Sequence, residues 1–215
     1  LRARRDDPAK SARIAKLRIS PEETVTVLAR NPLYLRDMKQ FCGKFMSPPR
    51  DKLFSCGAGH GTCIDAYGKA QMCMGLRDPG MAYDLRNVSV VPPLPESPDG
   101  SQSTGSEHRQ SPLRYAITQY FPRLTELRAT NPDYLRRCAR CFLKGLCDQC
   151  PAKSWTEHGT LDTPVEYLCS VAHAEARYLG LLREKESAWE VEDGRERVQR
   201  FSGLEGSTVQ RFNGL

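Results

Sequence analysis

A chain of 215 residues with 39% hydrophobic residues, 16 Gly and 15 Pro is long enough for one domain with appendages, yet thin in apolar material for its length. Its net charge of +6 is modest and gathered near the N-terminus, no recognition pattern for nucleic acid accompanies it, and no apolar run reaches membrane-spanning length. Nine cysteines are left as the feature to explain.

Residues 1 to 18 carry seven Lys/Arg against two Asp and read as a solvated basic segment. No charged-then-apolar leader opens the chain, so the expected setting is cytoplasmic and reducing, where thiols do not rest as disulfides. The first residue is Leu1 rather than Met, and the expectation is that the sequence is a piece of something longer. Ser20-Pro21-Glu22-Glu23 is a helix start, with a Ser cap, Pro at the first helical position and Glu three residues after the cap. That helix should run to Asn31-Pro32, where a second begins over NPLYLRDMKQFC with Asn31 as its cap. A related start, NPDYLRRC, recurs at residues 131 to 138.

From Cys56 the texture changes to glycine-rich loops. Ile64 to Met74 predicts a hairpin turning at Tyr67-Gly68, flanked by Cys63 and Cys73, with Gly57 and Gly59 permitting a tight loop before it. Residues 92 to 112, rich in Pro and Ser without apolar periodicity, read as a linker. A helix from Leu113 to Thr130, broken at Pro122, should follow, and then a cysteine-dense stretch. Thr163-Pro164 opens a further helix that carries Cys169 and His173 and ends near Gly180. Beyond Glu184 the sequence is mixed in charge and weakly periodic, a frayed tail. The expected organisation is α+β: a helical lead-in over 1–42, a metal-stapled domain with one hairpin and short helices over 43–181, and a charged tail over 182–215.

Eight cysteines fall into a pattern. The first part is Cys56-x6-Cys63, then Gly68-x4-Cys73; the second is Cys138-x2-Cys141-x5-Cys147-x2-Cys150, with Cys169 last. Cys42 lies outside it and is expected to be a buried or free thiol. Eight thiolates are two complete sets of four, which suits two zinc sites or two iron–sulfur clusters. The spacing alone leaves both open. Neither CxxC sits in a βαβ pattern, which argues against thioredoxin-like exchange.

The pattern resembles the SPASM domain, the C-terminal extension of radical S-adenosylmethionine enzymes that modify peptides and proteins. Cys56-x11-Gly68-x4-Cys73 matches its first half, and Cys138, Cys141, Cys147, Cys150 and Cys169 match its second. RISPEE and the following helix look like the lead-in that joins such extensions to a catalytic barrel. The resemblance implies two auxiliary 4Fe–4S clusters, one held by Cys56, Cys63, Cys73 and Cys150, the other by Cys138, Cys141, Cys147 and Cys169. It implies electron relay and substrate positioning, with a peptide or protein substrate and a radical S-adenosylmethionine domain as partners. No nucleic-acid or membrane partner is expected.

Two departures limit what carries over. Cys147 and Cys150 are separated by two residues where three are common, and Met74 stands where the sulfatase-maturing branch has a catalytic Asp. No catalytic residue is therefore assigned. The CxxxCxxC motif that would hold the S-adenosylmethionine-cleaving cluster is absent from these 215 residues, so this chain by itself is not expected to cleave that cofactor. The alternative is a non-catalytic, zinc- or iron–sulfur-stapled interaction module. The histidines His60, His158 and His173 read as packed or solvent-facing, although His173, four residues after Cys169, falls on the face where it can hydrogen-bond beside the second set.

Deleting residues 94 to 110 is predicted to leave metal content unchanged, because loop-closure entropy changes by only about 0.6 kcal/mol per doubling of length. Metal analysis of the shortened protein checks it; loss of metal would require an ordered, packed segment.

Overall fold

The computed structural model describes residues 5–46, 48–54, 56, 58–59, 61–86 and 111–203. Apart from Ser111 and Pro112, the expected linker lies outside the described residues, as does His60. The fold is α+β. In chain order it contains α1 (Pro8–Leu17), α2 (Pro21–Ala29), α3 (Tyr34–Phe45), β1 (Cys63–Ile64), β2 (Lys69–Gln71) and β3 (Ala82–Asp84). Then come α4 (Pro112–Tyr115), α5 (Phe121–Thr125), α6 (Pro132–Arg136), α7 (Pro151–His158), α8 (Glu166–Tyr178) and α9 (Gly194–Ser202). Among the described residues no helix is long and apolar enough to cross a membrane.

The chain forms two compact units, and their limits differ from the division expected at residues 42 and 181. The first unit is Leu1–Asp51, Thr130–Gln149 and Thr163–Leu215; the second is Lys52–Ala129 and Cys150–Asp162.

In the first unit, α2 begins as its sequence predicts. Ser20 Oγ accepts from the Glu23 N–H at 3.1 Å and Glu23 Oε2 accepts from the Ser20 N–H at 2.8 Å, a reciprocal cap worth about 1 kcal/mol. The third helix starts later than expected. Asn31 spends its side chain on the Leu33 N–H and its carbonyl on Tyr34, so residues 31–33 make a turn and α3 opens at Tyr34. Asn131 does cap α6 directly, accepting from the Asp133 N–H at 2.9 Å. The basic N-terminal segment also carries a helix that its charges conceal: Asp7 accepts from the Lys10 N–H at 2.8 Å, Pro8 occupies the first turn, and α1 buries no residue.

α2 packs on α8, and α3 packs on α9. A core that includes Tyr34, Cys42, Leu143, Leu181 and Leu182 draws on α3, α9 and the end of α8. A fully buried Leu contributes about 1.5–3 kcal/mol, and Leu143 and Leu181 are essentially inaccessible. The Tyr34 hydroxyl donates to Glu175 from α8, and burial together with that partner pushes the Tyr34 pKa well up. The stretch expected as a frayed tail is part of this core. Ala188 is wholly buried, and Trp189, Val191, Val198 and Phe201 pack against the cluster. Arg197 anchors the segment through paired hydrogen bonds to Glu186 at 2.5 and 3.0 Å and one to Asp193 at 2.8 Å.

In the second unit the expected hairpin is present: β1 pairs antiparallel with β2 in the register Cys63 to Gln71 and Ile64 to Ala70. Asp65 builds the turn, accepting at 2.9 Å from the N–H groups of both Tyr67 and Lys69. Gly68 closes it at φ +73°, a left-handed conformation, and a Cβ there would meet the Arg86 side chain at 3.1 Å. β3 adds a third strand to β2, which a three-residue Ala-Tyr-Asp run does not announce in sequence. Its Tyr83 ring packs at a tilt against those of Tyr115 and Tyr120, centroids 5.5 and 5.4 Å apart. The helix over Pro112 to Thr125 does not break at Pro122. The five residues Ala116–Tyr120 widen into a π-turn instead, which suits a proline that lacks the N–H and crowds the carbonyl four residues back.

Gly194, at the start of α9, touches Phe142 so closely that a Cβ would lie 2.4 Å from Phe142 Cγ. Gly194→Ala is therefore predicted to destabilise the protein by about 1–3 kcal/mol through overpacking. Urea denaturation of the variant measures this; an unchanged midpoint would mean that α9 is not docked there.

Candidate metal centre

Four of the patterned cysteines are brought to one cavity. α6 ends at Arg136 and the chain turns, with the Ala139 N–H donating to the Tyr134 carbonyl at 2.9 Å, so that Cys138 leaves the helix end. Cys141 precedes a 3-10 turn over Phe142–Gly145. The Leu143 carbonyl accepts from both Leu146 and Cys147, at 2.9 and 2.8 Å, and so folds Cys147 back over that turn. Cys169 stands in the first turn of α8. Gln149 joins the two segments: its amide accepts from the Val165 N–H at 3.0 Å and donates to the Thr163 carbonyl at 3.3 Å. Cys138, Cys141, Cys147 and Cys169 together line a cavity of about 30 Å³, with Arg137, Lys144, His173 and Trp189 among its other walls.

Burial dominates the electrostatics. Desolvation pushes the Cys138 thiol up to about 11 and the Cys141 and Cys147 thiols up to about 12. It raises Cys169 as well, against the pull of Arg137. Four thiols can share this cavity as neutral groups; four thiolates need a cation core among them. Soft sulfur donors suit zinc or iron in that role.

The cationic wall is Arg137. Its guanidinium forms a bidentate pair with Glu166 at 2.6 and 2.9 Å, reaches Asp133 at 3.1 Å, lies 4.8 Å over the Trp189 ring and donates to Cys169 Sγ at 3.5 Å. Its Nε is buried with no hydrogen-bond partner. An orphaned donor beside an apolar cavity is costly, about 1–3 kcal/mol, and fits a group that brings sulfide acceptors into that space. Lys144 donates to the Arg50 carbonyl at 2.8 Å, and burial lowers its pKa.

His173 completes the wall. The Ala188 N–H donates to its Nε2 at 3.2 Å, which assigns the ring proton to Nδ1, where it is donated to the Cys169 carbonyl at 2.8 Å. Nδ1 is also 3.6 Å from Cys169 Sγ, and burial pushes the imidazole pKa down, toward the neutral ring. His173 is a packed histidine, the reading its sequence favours, and its ring also hydrogen-bonds beside Cys169.

The other four cysteines, Cys56, Cys63, Cys73 and Cys150, belong to the second unit. Cys56 is exposed, Cys63 lies on β1, Cys73 follows β2, and Cys150 is the residue before α7. The Gly59 N–H donates to the Met72 carbonyl at 3.2 Å, which brings Gly59 beside the residue preceding Cys73. The chain passes from the first unit to the second between Gln149 and Cys150, so Cys147 and Cys150, neighbours in the dense run, are members of different units. Among the described residues, Cys138, Cys141, Cys147 and Cys169 included, no group of three or more His, Cys, Asp or Glu is arranged to hold a single metal ion; the cavity gathers four thiols without closing them around one.

Cys42 is buried in the first unit's core, its thiol pushed up to about 11 by burial, and it does not line the cavity. His158 sits in the last turn of α7. Met74 is exposed. Sequence reasoning missed Arg137, Lys144 and Trp189. Arg136, Arg137 and Arg140 all flank Cys138, and the pattern alone does not say which turns inward: the Arg137 side chain is 13% exposed and that of Arg136 is 72%. No family model, curated protein or solved structure matches the chain.

In reduced, metal-free protein at neutral pH, Cys56 is predicted to alkylate first and Cys141 and Cys147 at least about tenfold more slowly, since only exposed thiolates react. Mass spectrometry of iodoacetamide-labelled peptides reads the order. Equal rates would mean that the cavity is not closed in solution.

Proposed function

We propose that this chain is the auxiliary, cluster-binding portion of a radical S-adenosylmethionine enzyme that modifies a peptide or protein. Cys138, Cys141, Cys147 and Cys169 would hold one 4Fe–4S cluster, and Cys56, Cys63, Cys73 and Cys150 the other. The observation that carries this reading is the partition of the thiols. The four assigned to one set line a single cavity beside the orphaned Arg137 Nε, and the other four share the second unit although Cys150 adjoins the first set in sequence.

When bound, such clusters supply one-electron transfer at low potential. The chain's own residues would do the rest. Arg137 and His173 orient Cys169, the first through its N–H to sulfur and the second through its bond to the backbone carbonyl. Leu143, Val165 and Trp189 keep the cavity largely apolar. Radical generation would belong to a separate catalytic domain that carries the CxxxCxxC motif, and the peptide substrate would reach both. The competing reading, a zinc-stapled interaction module, uses the same eight thiols.

Anaerobically reconstituted protein is predicted to be brown and to hold about eight irons. Cys147→Ser should lose about four of them and Cys56→Ser the other four, while Cys150→Ser should join Cys56→Ser rather than Cys147→Ser. Iron analysis of the Cys56/Cys150 and Cys147/Cys150 double variants reads the pairing: about four irons retained in the first, few in the second. A colourless protein with about two zinc ions would sink the iron–sulfur reading.

A further inference from the structure

Among the residues of the cavity wall that the cysteine pattern does not explain, Arg137 is the cation in hydrogen-bond contact with a cysteine sulfur. Arg137 is committed on three sides. Glu166 and Asp133 hold its Nη atoms, Trp189 covers its face at 4.8 Å, and the remaining direction leads to Cys169 Sγ at 3.5 Å. Trp189 is fixed in turn by edge contact with His173 at 5.2 Å, and His173 by the Ala188 N–H. Glu166 is mostly exposed, with 67% of its side chain accessible, so an ion pair for stability alone gains little at that position. The arrangement fixes a guanidinium's position and aims it at one sulfur.

We propose that Arg137 is the positioning residue of the centre formed by Cys138, Cys141, Cys147 and Cys169, donating an N–H···S hydrogen bond to Cys169 and raising the reduction potential of that centre alone. The inference rests on the iron–sulfur reading above. A reduced cluster carries one more negative charge than the oxidised one. A fixed cation and a donated hydrogen bond in a desolvated wall therefore stabilise the reduced form more than the oxidised form. The guanidinium is always protonated, so this influence does not vary with pH. Lysine cannot reproduce the arrangement: it brings the charge but not the planar fork that grips Glu166 and reaches Cys169 together.

The test compares reconstituted wild type, Arg137→Met and Arg137→Lys by iron analysis and by redox titration followed with electron paramagnetic resonance. The expected result is about eight irons in all three. One of the two midpoint potentials should move to more negative values in Arg137→Met and by less in Arg137→Lys, while the other stays in place. Two unchanged potentials in iron-replete Arg137→Met would overturn this proposal and leave the iron–sulfur reading standing. A shift of both potentials would overturn it equally, since the effect would not be local. If both variants lost about four irons, Arg137 would be a support of the fold and the proposal would fall. Wild type that takes up zinc and no iron would overturn the underlying reading, and this inference with it.

Discussion

Sulfur that has been taken out of water governs the first unit. A buried thiol behaves as a small apolar group while it keeps its proton and becomes expensive when it loses it. Cys138, Cys141 and Cys147 are all pushed in that direction by burial. Their cavity is therefore a place where neutral side chains pack or where thiolates surround a cation core, with little in between. The Leu143 turn, the Gln149 bridge and the first turn of α8 gather the four sulfurs there. Arg137 is the guanidinium that the wall holds against them.

The segment after Glu184 shows how such a site acquires support from a distance in sequence. Its composition is that of a solvated tail, yet the Ala188 backbone holds His173 and the Trp189 ring covers Arg137. Both contacts end on groups that touch Cys169. Gly194 and Phe142 continue the same packing toward Cys141, because only a residue without a side chain lets α9 approach that ring. The C-terminal segment thus forms the outer wall of the candidate centre, and a description of the centre limited to its cysteines omits what orients them.

Local chemistry was legible wherever a short stretch contains its own partners. The Ser20–Glu23 cap, the Asp65–Gly68 turn and the Asn131 start of α6 each close within four residues, and each stands where the sequence puts it. Asn31 shows the limit: the same Asn-Pro start made a turn there, and the helix began at Tyr34. Pro122 shows another, since a proline that removes one hydrogen bond was accommodated by widening the preceding turn rather than by ending the helix.

What the sequence determined by itself is the chemical inventory: eight thiols in a spaced pattern, a hairpin between two of them, and a histidine one helical turn after the last. Tertiary structure alone decided which side chains face the sulfurs. Arg136 and Arg137 are adjacent and chemically identical, and what separates them is that the second turns inward onto Glu166 and Trp189. It also set the boundary between the two units between Gln149 and Cys150. The physical reason is range. Caps and turns are settled by hydrogen bonds between near neighbours, whereas burial depends on distant segments, as Glu166 and Trp189 are 29 and 52 residues from Arg137, and no local pattern records them.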